Sequence, residues 1–168
     1  MLEDLGRIIE EVSGLNSKLV LVIGGHQTGK SKLLGKLAEY KQMRVLSVGV
    51  GLGHKLLAVP VTRRHLHVAE MLTELSNDFA DDGLLIMDNI EILFDQRLMV
   101  SPLELLKRQA HVRRVVAAWP GELRDGRLFY ATPGHPEYRD YGVDGLVPLT
   151  TIERGSRNAN TLLGSHSV

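Results

Sequence analysis

The stretch Gly24-Gly25-His26-Gln27-Thr28-Gly29-Lys30-Ser31 constrains this chain more than any other, because it fits G-x-x-x-x-G-K-[ST]. It follows directly on a continuous apolar run from Leu19 to Ile23, the pattern of a strand buried on both faces in a helix-covered parallel sheet. Leu33, Leu34, Leu37 and Ala38 then recur at helical spacing, so the loop is expected as a strand-to-helix turn. Gly24 and Gly29 let the backbone fold tightly enough for successive N–H groups to converge on an anion. The start of the helix adds the positive end of its dipole. Lys30 supplies a mobile charge for β- and γ-phosphates, and the Ser31 hydroxyl is placed to ligate Mg²⁺. Gly24, Gly25, His26, Gln27, Thr28, Gly29, Lys30, Ser31 and Lys32 are therefore the expected nucleotide-binding residues. His26 is expected at the nucleotide mouth, within reach of a ribose or a neighbouring subunit.

The second half of such a site is an acid at the end of another buried strand. Leu84-Leu85-Ile86-Met87-Asp88 supplies it, making Asp88 the expected Mg²⁺ carboxylate, acting through water or through Ser31. ATPases of the AAA type place a Glu immediately afterwards to polarise the attacking water. Here the residue is Asn89, a neutral amide that cannot accept a proton. Glu91 is the nearest alternative. Either Glu91 is the base, giving Lys30, Asp88 and Glu91 as the catalytic set, or hydrolysis is slow and the protein is a nucleotide-dependent switch.

Around these motifs the chain alternates strands and helices. An amphipathic helix is expected over 2–13, strands over 18–23, 44–48, 84–87, 115–118 and 127–131, and a possible short strand over 146–149. Further helices are expected over 30–40, 68–75 and 102–110, the last with Ser101 as its cap and Pro102 at its first position. Gly49, Gly51 and Gly53 make the segment after the second strand loop-like, and Trp119-Pro120-Gly121 is read as the end of the fourth strand. That alternation implies right-handed crossovers and a parallel sheet with helices on both faces. A small hairpin-like appendage is expected in the last third. The nucleotide-binding domain is assigned to 1–150, and 151–168 to a loose tail rich in Ser, Asn, Gly and Arg.

Composition narrows the function classes. In 168 residues Lys plus Arg number 20 and Asp plus Glu number 20, so no overall basic field draws the chain to nucleic acid. Cys is absent, which removes disulfides, thiolate metal sites and cysteine nucleophiles. No apolar run reaches the roughly 18 residues that cross a bilayer, and the acidic N-terminus does not read as a signal peptide; a cytoplasmic location is expected. His65 and His67 flank Leu66, without the spacing of a metal site. Trp119 is assigned to the core in preference to a base-stacking platform. Arg113, Arg114, Arg124 and Arg139 are candidates for an arginine that completes the site of a neighbouring subunit, or that contacts DNA phosphates.

Four stretches together resemble the BrxF family, the small P-loop proteins of type III BREX bacteriophage-defence systems. They are Gly24–Ser31, Asp88-Asn89-Ile90-Glu91-Ile92-Leu93-Phe94-Asp95, Val115-Val116-Ala117-Ala118-Trp119 and Pro133-Gly134-His135-Pro136-Glu137-Tyr138. The resemblance implies an AAA-like nucleotide-binding core in a bacterial or archaeal cytoplasm. It also implies action beside a larger ATPase, a methyltransferase and other defence components. Residue roles carry over only at Gly24, Gly29, Lys30, Ser31 and Asp88.

The expected architecture is thus an α/β P-loop NTPase of the AAA-like branch, a three-layer sandwich with a central parallel sheet and no helical lid domain. The expected function is Mg²⁺-dependent ATP binding, as an ATPase or ATP switch, in a homo-oligomer or with other BREX proteins. Two alternatives stand beside it: a DNA-binding or loader-type adaptor with ATP as a structural ligand, and a small-molecule P-loop kinase. The absence of an N-K-x-D motif favours adenine over guanine.

Overall fold

The computed structural model describes residues 1–14, 18–25, 28–130 and 139–150. Five strands form the main sheet: β1 (Leu19–Gly24), β2 (Leu46–Ser47), β3 (Leu84–Asp88), β4 (Arg114–Arg124) and β7 (Leu146–Thr150). They are all parallel, in the order β2-β3-β4-β1-β7, so β1 is flanked on both sides. Every residue of β1 is buried, as its unbroken apolar run requires.

Five helices cover the sheet: α1 (Leu2–Glu11), α2 (Lys30–Lys41), α3 (Val48–Leu56), α4 (Val68–Phe79) and α5 (Pro102–Ala110). From β1 the chain crosses to β2 at the far edge and then steps back through β3 and β4 toward β1. Crossovers of one hand taken in opposite directions put their helices on opposite faces. The core divides accordingly. Val20, Val22, Ile86 and Val116 pack with α1 and α2, whereas Leu19, Leu21, Leu85 and Val115 pack with α3, α4 and α5. The alternation along each strand is the two-residue period of the pleat. Two helical layers thus sandwich one sheet, and no helix among the described residues is long and apolar enough to cross a membrane.

Three expectations are corrected. The segment with Gly49, Gly51 and Gly53 is helix α3, whose first N–H groups are capped by Ser47: its Oγ accepts from the Val50 N–H at 3.5 Å. Val48, Leu52 and Leu56 bury one stripe of it, and that burial outweighs the weak helical propensity of glycine. Consequently β2 shrinks to two residues. Nor does β4 end at Trp119; it continues to Arg124 and pairs antiparallel with β5 (Arg127–Tyr130), which pairs with β6 (Arg139–Gly142). Pro120 is tolerated because it pairs with Gly24, the last residue of β1, where the ladder ends. The expected appendage is therefore three-stranded. It folds onto the α5 side of the sheet, where Leu123, Leu128, Tyr130 and Tyr141 join that core. The expected tail, 151–168, lies outside the described residues.

Candidate functional site

In an open α/β sheet the place for a ligand is the carboxyl edge, between strands whose onward connections leave to opposite faces. Here β1 leads to α2 on one face and β3 leads toward α5 on the other, with β4 between them. Both sequence motifs sit on this edge, at Gly24 and Asp88.

After Gly24 and Gly25 the chain reaches α2 through Thr28 and Gly29. Gly29 adopts φ +90°, a left-handed conformation that an L side chain would strain, and it offers no side chain to cap α2. Among the described residues, no side chain caps the first turn of α2. Thr28, Gly29, Lys30, Ser31 and Lys32 line an open depression of about 330 Å³. Thr28 Oγ1 donates to the Gly25 carbonyl at 3.0 Å and Lys30 Nζ donates to the same oxygen at 2.7 Å. Ser31 and Lys32 are exposed in the first turn. The expected contributions of His26 and Gln27 lie outside the described residues.

Lys30 is where the two halves meet. Partial burial pushes its ammonium below the ordinary lysine range, while the carboxylates of Glu91 and Asp88 act on it in the opposite sense. All three expected catalytic residues therefore share one electrostatic neighbourhood, although Asp88 is separated from β1 by β4. The residues expected to hold a cation, Ser31 through its hydroxyl and Asp88 through its carboxylate, both offer hard oxygens. That set fits Mg²⁺, which takes one or two protein ligands and fills its octahedron with water and phosphate oxygens. Among the described residues no group of three or more His, Asp or Glu side chains is placed to hold a metal by itself.

The far half of the site is tightly braced. Asp88 is followed by Asn89 in the left-handed conformation, φ +55°, which Asn tolerates better than most residues. The Asn89 backbone N–H donates to Asp88 Oδ1 at 2.8 Å, and its carbonyl accepts from the Gly49 N–H at 2.9 Å. Its side chain donates through Nδ2 to Ser47 Oγ at 3.1 Å. A Cβ on Gly49 would stand only 2.5 Å from that Nδ2, so glycine is required for this approach. Two residues later Glu91 opens a 3-10 turn, Glu91–Phe94, with Ile90, Leu93 and Phe94 buried beside the exposed Glu91. Phe94 stacks on Tyr130 at 3.7 Å and meets Trp119 edge-on at 5.2 Å. Trp119 is fully buried and donates through Nε1 to the Phe129 carbonyl at 3.0 Å; it belongs to the core, as its sequence context suggested.

The arginines divide differently. Arg114 begins β4 at the amino edge, away from the loop, and binds Glu10 and the Asp82 carbonyl, each at 3.3 Å. Arg113 beside it bridges Asn77 at 2.6 Å and Gln109 at 3.3 Å. Arg124 ends β4, pairs with Glu122 at 2.8 Å and lies over the Phe129 ring. The Arg139 side chain lies outside the described residues. Ser47 and Gly49 were missed by sequence reasoning. The signal for them was the glycine-rich stretch itself, read as a loop when it marks close helix packing.

No protein-family model matches this chain, and a search of curated proteins finds no matching relative.

Proposed function

We propose that this protein binds ATP with Mg²⁺ through a P-loop of the AAA-like branch and acts as an ATPase or ATP switch. The observation that carries the reading is the placement on one carboxyl edge of the β1-to-α2 turn, with Gly29 and Lys30 at the start of the helix, and of Asp88 at the end of β3. The N–H groups of α2 and the Lys30 ammonium would hold the β- and γ-phosphates. Ser31 and Asp88 would hold Mg²⁺, which neutralises charge on the phosphate oxygens. Glu91 would take the proton of the attacking water as its oxygen bonds to the γ-phosphorus and the bond to the β-phosphate oxygen breaks. Asn89 has no part in that proton transfer, because its side chain donates to Ser47.

The setting we propose is bacteriophage defence of the BREX type, in the cytoplasm, as a homo-oligomer or beside other BREX proteins. The support is the four-motif resemblance, two of whose stretches, Asp88–Asp95 and Val115–Trp119, pack against each other through Phe94 and Trp119. Steady-state ATP turnover, with and without duplex DNA and alongside mass by light scattering, tests the reading. Glu91→Gln is expected to lower turnover by about 10²–10⁴-fold with ATP affinity retained, as for loss of a general base. Equal turnover in the two proteins removes Glu91 from the role. A phosphorylated small product without DNA stimulation would favour a kinase, and DNA binding without turnover an adaptor.

A further inference from the structure

Asn89 makes three contacts at once, and each reaches a different part of the carboxyl edge. Its N–H holds one oxygen of Asp88, its carbonyl takes the Gly49 N–H, and its amide side chain reaches Ser47. Ser47 in turn caps α3 at Val50 and pairs in register with Asp88 across the β2–β3 ladder. The result is a closed ring in which the Asp88 carboxylate is oriented from outside the site. The fit is tight, since Gly49 leaves room for no side chain against Asn89 Nδ2.

We propose that Asn89 is a positioning residue: the Asn89–Ser47–Gly49 ring fixes the Asp88 carboxylate for the cation and ties it to the first turn of α3. The inference rests on the ATP–Mg²⁺ reading above and adds to it a role for the position where an AAA-type enzyme carries its base. A carboxylate ligand held by an outer hydrogen bond binds metal more tightly than a free one, because fewer orientations are lost on binding. The same ring makes the α3 backbone a reporter of what happens at Asp88.

Two variants cut the ring without forbidding the backbone. Asn89→Gly accepts the left-handed φ and keeps both backbone hydrogen bonds but loses the tie to Ser47. Ser47→Ala removes the acceptor. The probe is N-methylanthraniloyl-ATP fluorescence titrated with Mg²⁺, together with amide exchange at Gly49 and Val50. Each variant is expected to raise the half-saturating Mg²⁺ concentration on the order of tenfold, the size of an outer-ligand effect. Binding of the nucleotide without Mg²⁺ should stay unchanged, a split that mere loss of stability would not produce. The double variant should lose no more Mg²⁺ affinity than Ser47→Ala alone, which removes both the link to Asn89 and the cap on Val50. In the wild type, Mg²⁺ with the nucleotide should slow exchange at Gly49 and Val50; in Asn89→Gly it should slow neither, and in Ser47→Ala, which also removes the acceptor of the Val50 N–H, it should not slow Gly49. Unchanged Mg²⁺ dependence, additive losses, or exchange indifferent to the ligand in the wild type each overturns the proposal. A wild-type protein that binds no nucleotide overturns instead the reading on which it rests, and the proposal with it.

Discussion

The two halves of the carboxyl edge are built on opposite principles. On the β1 side, the loop into α2 is open, uncapped and polar, and Lys30 spans it to a backbone carbonyl. On the β3 side, Asp88, Asn89 and the Glu91–Phe94 turn are held by a hydrogen-bonded ring in front and an aromatic cluster behind. On the proposed reading, a phosphate anion brings acceptors to the first turn of α2, where Gly29 supplies no side-chain cap. The second half must present carboxylates at fixed places, and like charges held together need a frame. On the proposed reading, the first half takes the phosphates and the second holds its carboxylate ready for the cation.

Substitutions that disturb each half sharpen this contrast. The largest stability effect should come from the braced half. Trp119→Ala removes a fully buried ring, its hydrogen bond to Phe129, and edge-on contacts with Phe94 and Tyr141. Its cost is expected at about 3–5 kcal/mol by chemical denaturation. A loss under about 1 kcal/mol would mean the cluster is not what holds the Glu91 turn.

An intermediate effect is expected at Gly29. Gly29→Ala forces an L side chain to φ +90°, with none of the described residues near enough for its Cβ to strike. The strain alone costs about 1–2 kcal/mol, seen as a lower denaturation midpoint. The smallest effect, and opposite in sign, belongs to Lys30. Folding disfavours its ammonium, since burial is the largest influence on it. Lys30→Met is therefore expected to raise Tm slightly, about 1–2 °C, by scanning calorimetry near neutral pH. The folded pKa lies below the unfolded value of 10.5, so the folded state binds the proton less readily. The penalty is present in full below the folded pKa and fades as pH rises from there through 10.5. The gain from Lys30→Met should fade over the same range. A lowered Tm would show that Asp88, Glu91 and the hydrogen bond to the Gly25 carbonyl together outweigh burial.

Sequence alone foretold the parts whose physics is local. The apolar run of β1, the start of α2 at Lys30 and the Ser101–Pro102 start of α5 each carry their own pattern over a few positions. Asp88 was legible because a buried strand must end somewhere and an acid there is conspicuous. What was not legible depends on neighbours distant in sequence. Gly49 reads as a loop residue until Asn89 is seen against it. Asn89 reads as a missing base until Ser47 accepts its amide. Trp119-Pro120-Gly121 reads as a stop, yet β5 supplies a partner beyond the end of β1 and the strand runs on.

Calorimetric titration of ATP with Mg²⁺ into the wild type and Lys30→Ala tests the central claim most directly. The wild type is expected to bind one nucleotide per chain, and Lys30→Ala to show no measurable binding while unfolding as cooperatively as the wild type. Equal affinity in the two proteins would contradict the assignment of this edge as a nucleotide site.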